Sequence, residues 1–121
     1  MKANVSELLG LTLVSVERID NEELRFTTDN GIIYHMYHDQ DCCESVTIDD
    51  VNGDLNDLVG TPILVAEEST NDKGPGDERE AMTWTFYKFA TVKGWVQIRW
   101  YGQSNGYYSE AVDFERVEPA N

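Results

Sequence analysis

The sequence predicts a mainly β fold of about eight antiparallel strands, forming a sandwich or a partly closed barrel with two short helices. Three observations lead there. Short runs alternate apolar with polar residues and are rich in β-branched and aromatic side chains, the pattern of half-buried strands. Gly, Asn and Asp separate these runs, and Asp29-Asn30-Gly31 and Lys93-Gly94 supply residues that tolerate the positive φ of tight hairpin turns. With 40% apolar and 11% aromatic residues, 121 residues are enough for one domain spanning 1–121 with a core that needs no disulfide staples.

In chain order, Ser6 to Gly10 begins with an N-cap type residue, has an early carboxylate and ends in Gly, which predicts one or two helical turns. Strands are expected over 11–19 and 24–28, then over 32–38 beyond the Asp29-Asn30-Gly31 turn, and over 45–51. Asp54 to Gly60 repeats the capped helical signature. Further strands are expected over 63–67, 82–92, 95–101 and 107–117. The polar Gly- and Pro-containing stretch from Asn71 to Glu80 reads as a solvated surface loop.

The two capped segments align. Glu7-Leu8-Leu9-Gly10 followed by Leu13 parallels Asp57-Leu58-Val59-Gly60 followed by Ile63. Phe26 to Gly31 parallels Phe89 to Gly94, and Glu44 to Asp49 parallels Glu110 to Glu115. The expectation is two copies of one unit, a short helix followed by a four-strand meander, with length added in loops.

Composition narrows the function. Twenty-three carboxylates against 9 Lys plus Arg give a net charge of -14, the reverse of the clustered basic face that grips phosphate backbones. Direct nucleic-acid binding is therefore not expected. No run of about 18 apolar residues is present and the N-terminus lacks a signal-peptide core, so no membrane partner is expected. Cys42 and Cys43 are adjacent, a spacing that rarely bridges, and reduced thiols in the cytoplasm are the default.

The acidity is uneven. From Phe26 to Asp72 there is no Lys or Arg but there are eleven carboxylates. Such a field attracts basic surfaces, which nominates Asp39, Asp41, Glu44, Asp49, Asp50, Asp54 and Asp57 as partner-binding residues. Solubility and divalent cations are the competing readings of the same charge. Asp49 to Asp54 has the composition of a calcium loop but not its twelve-residue spacing or closing Glu.

Two constellations carry other chemistry. His35, His38, Asp39, Asp41, Cys42, Cys43 and Glu44 are metal-ligand types, with His35, His38, Asp41 and Cys42 the weak candidates for a metal site or metal-dependent enzyme. On a strand, His35 and His38 should face opposite ways, and no second Cys pair exists. The surrounding carboxylates would disfavour a thiolate nucleophile. No P-loop, nucleophile elbow or dinucleotide fingerprint is present, so neither an enzyme nor a cofactor is expected. In the second half, alternation places Trp84, Phe86 and Lys88 on one face, and Trp95, Gln97, Arg99 and Tyr101 on one face of the next strand. Most of these aromatics are expected in the core. Arg99, Trp100, Tyr101, Asn105, Tyr107 and Tyr108 form an alternative pocket for an anionic, ring-bearing ligand such as a nucleotide signal.

The runs His38-Asp39-Gln40-Asp41-Cys42-Cys43-Glu44-Ser45, Gly53 to Leu64, Trp84 to Lys88 and Arg99 to Gly102 continuing at Asn105 to Glu110 resemble a family of small acidic phage and prophage proteins across most of the chain. The resemblance implies a setting and no catalytic residues. In that setting the expected function is a non-enzymatic phage accessory protein acting in the host cytoplasm. It would blunt host defence by binding a basic host protein, such as a defence nuclease complex, through its acidic surface, or by sequestering a nucleotide signal. Open sheet edges would also let two copies pair across a two-fold axis.

Overall fold

The computed structural model describes residues 1–40, 44–72, 81–104 and 110–117. Eight antiparallel strands lie among them: β1 (Leu13–Ile19), β2 (Glu23–Thr28), β3 (Ile33–Tyr37), β4 (Ser45–Asn52), β5 (Val65–Asp72), β6 (Ala81–Thr91), β7 (Gly94–Ser104) and β8 (Asp113–Val117). They form two four-stranded sheets in the orders β1-β2-β3-β8 and β4-β7-β6-β5, a sandwich and not a closed barrel. The two expected helical segments are single 3-10 turns, η1 (Val5–Leu8) and η2 (Leu55–Leu58). β5 runs to Asp72, where a loop is expected from Asn71, and β8 begins only at Asp113.

The sheet orders reveal the repeat and correct it. Shifting every strand number by four turns one order into the other, so each half of the chain is built alike. The halves are not self-contained meanders, however. The fourth strand of each crosses over, β8 pairing with β3 and β4 with β7. At the seam the Gly10 amide donates to the Ile63 carbonyl at 2.8 Å, and the Gly60 amide to the Leu13 carbonyl at 2.9 Å. Both glycines sit at positive φ, +82° and +94°, where a side chain would be strained. Each 3-10 turn begins in an Asx cap, Asn4 accepting from the Ser6 amide and Asp54 from the Asn56 amide. η1 packs on β5, and η2 on β1 as well as on β6 and β7, so each turn reaches the opposite half.

Alternation decides what is buried. Leu24, Phe26, Tyr34, Met36 and Phe114 face inward from one sheet, and Val46, Ile48, Tyr87, Phe89, Val96, Ile98 and Trp100 from the other. Leu8 and Leu58, at equivalent places in the 3-10 turns, are both fully buried. Trp100 crosses the interior, its indole N–H donating to the Met36 sulfur at 3.3 Å, which satisfies a polar group that burial would otherwise strand.

Candidate functional site on the outer face of the second sheet

The strand registers set rows of side chains across the solvent face of the β4-β7-β6-β5 sheet. One row runs Asn71, Trp84, Tyr101, Thr47; the next runs Ser69, Phe86, Arg99, Asp50; the third runs Glu67, Lys88, Gln97, Asn52. Trp95 follows on β7 and is 60% exposed. Trp84 and Tyr101 meet with ring centroids 4.4 Å apart, the Arg99 guanidinium lies 5.3 Å from the Trp84 ring, and the Lys88 ammonium lies 5.5 Å from the Trp95 ring. Cation–π attraction thus ties the two cations to the aromatic strip. An open hollow of about 530 Å³ is lined by Glu67, Glu68, Ser69, Phe86, Lys88 and Gln97. A smaller one of about 210 Å³ lies beyond Lys88, against Trp95 and Asn52.

The expected grouping of Trp84, Phe86 and Lys88, and of Trp95, Gln97, Arg99 and Tyr101, is what the pairing shows. The expectation that most of these aromatics are core fails for Trp84, Phe86, Trp95 and Tyr101, which stay wholly or partly exposed. It holds for Tyr87, Phe89 and Trp100. Trp100 therefore cannot share a ligand face with Arg99 and Tyr101, because it points into the core at 1% exposure. Arg99 is engaged by Asp49, Nε to Oδ2 2.7 Å, so an anionic ligand would have to compete with that carboxylate. Asn105, Tyr107 and Tyr108 lie outside the described residues.

The acidic stretch does not form one patch. A bulge between Ile48 and Asp50 leaves both Asp49 and Asp50 exposed on β4; Glu67 and Glu68 are exposed on β5, at the opposite edge. Three strand spacings, about 14 Å, separate these rims, with the aromatic strip between them. Asp54 is committed to capping η2, and Asp57 lies under the β6–β7 turn, its carbonyl accepting from the Thr91 hydroxyl. Asp39 is exposed at the end of β3. Asp41 lies outside the described residues.

Glu44 is a correction. Its side chain is 1% exposed and accepts from His38 Nε2 at 2.9 Å, so it is closed to a partner. His38, 3% exposed, places its other ring nitrogen 2.7 Å from the Ala111 carbonyl. Each ring nitrogen thus faces one oxygen acceptor. Six residues separate His38 from Glu44 and six separate Ser104 from Glu110, which are bonded in the same way, with Thr83 also donating to Glu110 at 2.6 Å. In each half a carboxylate thus ties the start of the crossing segment to the strand before it. His35 points the other way, to the outer face of the first sheet, where Nδ1 lies 2.5 Å from Glu23 Oε2. The two histidines are thus separated, Cys42 and Cys43 lie outside the described residues, and among the described residues no three His, Cys, Asp or Glu converge as a metal site.

Two phenols are held protonated. Tyr37 donates to Glu115 at 2.6 Å, and that bond, helped by burial, pushes its pKa up to about 12. Burial raises Tyr87 further, reinforced by the Glu68 carboxylate to which its hydroxyl donates at 2.9 Å. Glu68, opposite Tyr87 in the register, is thereby held on the core side of β5, which leaves Glu67 as the carboxylate of that edge in the outer-face rows.

Fold and surface together define a pseudo-two-fold antiparallel β-sandwich carrying an acid-rimmed aromatic face. The chain belongs to the family described as a domain of unknown function, DUF7448, whose model matches residues 6–114. No curated protein and no solved structure matches it. Among the described residues, no helix is long and apolar enough to cross a membrane.

Proposed function

We propose that the protein is a non-enzymatic binding module, a phage accessory protein that blocks a basic host protein such as a component of a defence nuclease complex. It does so with the outer face of the β4-β7-β6-β5 sheet. The observation that carries this reading is the strip of exposed Trp95 and half-buried Trp84, Phe86 and Tyr101 between the carboxylates of β4 and those of β5. Aromatic residues anchor protein interfaces, and the net charge of -14 steers a basic partner towards them. Lys88 and Arg99 lie within the strip beside aromatic rings, and Arg99 is paired to Asp49, so the rims set the field that a partner meets.

Immobilised protein exposed to bacterial lysate should retain a basic protein that salt elutes. Trp95→Ala should lose it, and so should the combined charge reversal of Asp50 and Glu67 to Lys. Retention unchanged by the charge reversal at moderate salt would overturn the reading. A nucleotide carried through purification and seen in a native mass spectrum would replace it with a sequestering function.

A further inference from the structure

We propose that β5 is the docking edge of this face and that its occupant is an extended, lysine- or arginine-rich segment of the partner protein, added to the sheet as a fifth strand. The proposal rests on the reading of a basic partner and adds how it is held.

The register identifies which backbone groups are open. β6 and β7 are joined by the two-residue turn Val92-Lys93, closed by the pair Thr91 and Gly94. The closing pair of such a hairpin is of the hydrogen-bonded kind, so the odd residues of β6 bond to β7 and the even ones to β5. Lys88, Phe86 and Trp84 oppose Glu67, Ser69 and Asn71. The amides and carbonyls of Glu68 and Thr70, between them, therefore point away from the sheet. Every residue from Glu67 to Asn71 is exposed, and among the described residues no backbone bond reaches that stretch from outside the sheet.

The other edges are blunted. The N-terminal segment covers β8, with Ala3 donating to the Phe114 carbonyl at 2.9 Å and Arg116 to that of Met1 at 2.8 Å. The Asn21 carbonyl accepts from Ile48 on β4 at 2.7 Å. β1, the counterpart of β5, is bulged between Leu13 and Ser15 and mixes Arg18 with Glu17. Natural sheets protect their edges in these ways; η1 packs on β5, but the stretch from Glu67 to Asn71 stays exposed and carries only its charge.

That charge selects the occupant. A second copy docking edge to edge would bring Glu67 and Glu68 against the same residues of its partner, an unfavourable pairing. A segment with Lys or Arg at alternate positions would instead set cations beside Glu67 and lay their methylene stems over the Phe86 hollow.

The test uses the full chain and a short peptide alternating lysine and threonine, beside the same peptide with alternate backbone amides N-methylated. Binding of the first should slow hydrogen exchange at the Glu68 and Thr70 amides. Thr70→Pro removes an outward amide without touching the bonds to β6. It should retain the melting curve and weaken binding by about tenfold or more, with N-methylation of the peptide doing the same. Equal affinity for the methylated peptide, or undiminished binding by folded Thr70→Pro, overturns strand addition. So does protection of Glu68 and Thr70 that appears without peptide and grows with protein concentration, which would mean pairing between copies. Failure of the alternating peptide to bind at low salt, while a basic protein is still captured, overturns the edge and leaves the proposed function standing.

Discussion

Phe26 and Phe89 hold equivalent places in the two halves of the chain and meet in the core, ring centroids 5.6 Å apart and planes inclined at 53°. Two equivalent residues that touch must straddle the axis relating them. The paired seam bonds of Gly10 and Gly60 obey the same symmetry. With β4 and β8 exchanged between sheets, neither half can bury its core alone, and the fold behaves as a strand-swapped dimer written into one chain.

This relationship predicts a coupled loss of stability. Phe26→Ala and Phe89→Ala should each cost about 3 to 5 kcal/mol, the range for a buried phenylalanine. Because the rings touch, the double variant should fall short of or exceed the sum by about 0.5 kcal/mol or more. Urea denaturation of the four proteins measures it. Simple additivity would place the rings in separate environments and contradict the shared axis.

The pair of His38 and Glu44 predicts a different pattern. Glu44→Ala leaves a buried imidazole facing only the Ala111 carbonyl and should destabilise by about 3 to 5 kcal/mol. Replacing both, as His38→Leu with Glu44→Met, should recover most of that loss, since the desolvation of both groups disappears together. A Glu44→Ala cost below about 1 kcal/mol would show the pair to be solvated. If the double replacement restores folding and partner binding is undiminished, Glu44 is structural, as its burial indicates.

Much of this architecture is legible in the residues. Eight strands, the faces of β6 and β7, the opposed directions of His35 and His38 and the internal repeat all follow from period-two alternation and turn chemistry, which are local properties. The strand exchange is not local. The repeat aligns Glu44 with Glu110, yet nothing in either segment states which sheet the next strand joins. The site was harder to read for a related reason. Alternation groups Trp84 with Phe86 and Tyr87 with Phe89, but which group faces the core depends on the opposing sheet. The acidic stretch reads as continuous along the chain, and the fold divides it between two edges, a cap and a buried pair.

Tyr37 predicts the alkaline behaviour. A phenol whose pKa is about 12 in the folded protein against 10.0 unfolded binds its proton more tightly when folded. Its contribution is fully present below the unfolded value and is lost as pH rises through the folded one. Stability should therefore decline between about pH 10 and 12. In Tyr37→Phe that part of the decline should be absent, along with one ultraviolet phenolate step near pH 12. Tyr87, held higher by burial and Glu68, should titrate only on unfolding. An unchanged alkaline profile in Tyr37→Phe would remove the role given to the bond with Glu115.

Arg99 separates the two binding readings by sign. Its pair with Asp49 is partly exposed, the side chains retaining 43% and 35% of their accessible surface, and such pairs contribute about 0 to 1 kcal/mol. Arg99→Ala should therefore leave the melting curve almost unchanged. It removes a cation from the centre of the acidic face and frees the Asp49 carboxylate. Capture of a basic partner should strengthen, with a steeper dependence on salt, because an added unpaired carboxylate increases the steering field. A nucleotide held by Arg99 would instead be lost. Measuring both the salt-dependent affinity for the captured protein and nucleotide retention in the same variant decides between them: tighter binding supports the acid-rimmed interface, whereas loss of both would place Arg99 itself in the contact and overturn the role assigned to the rims.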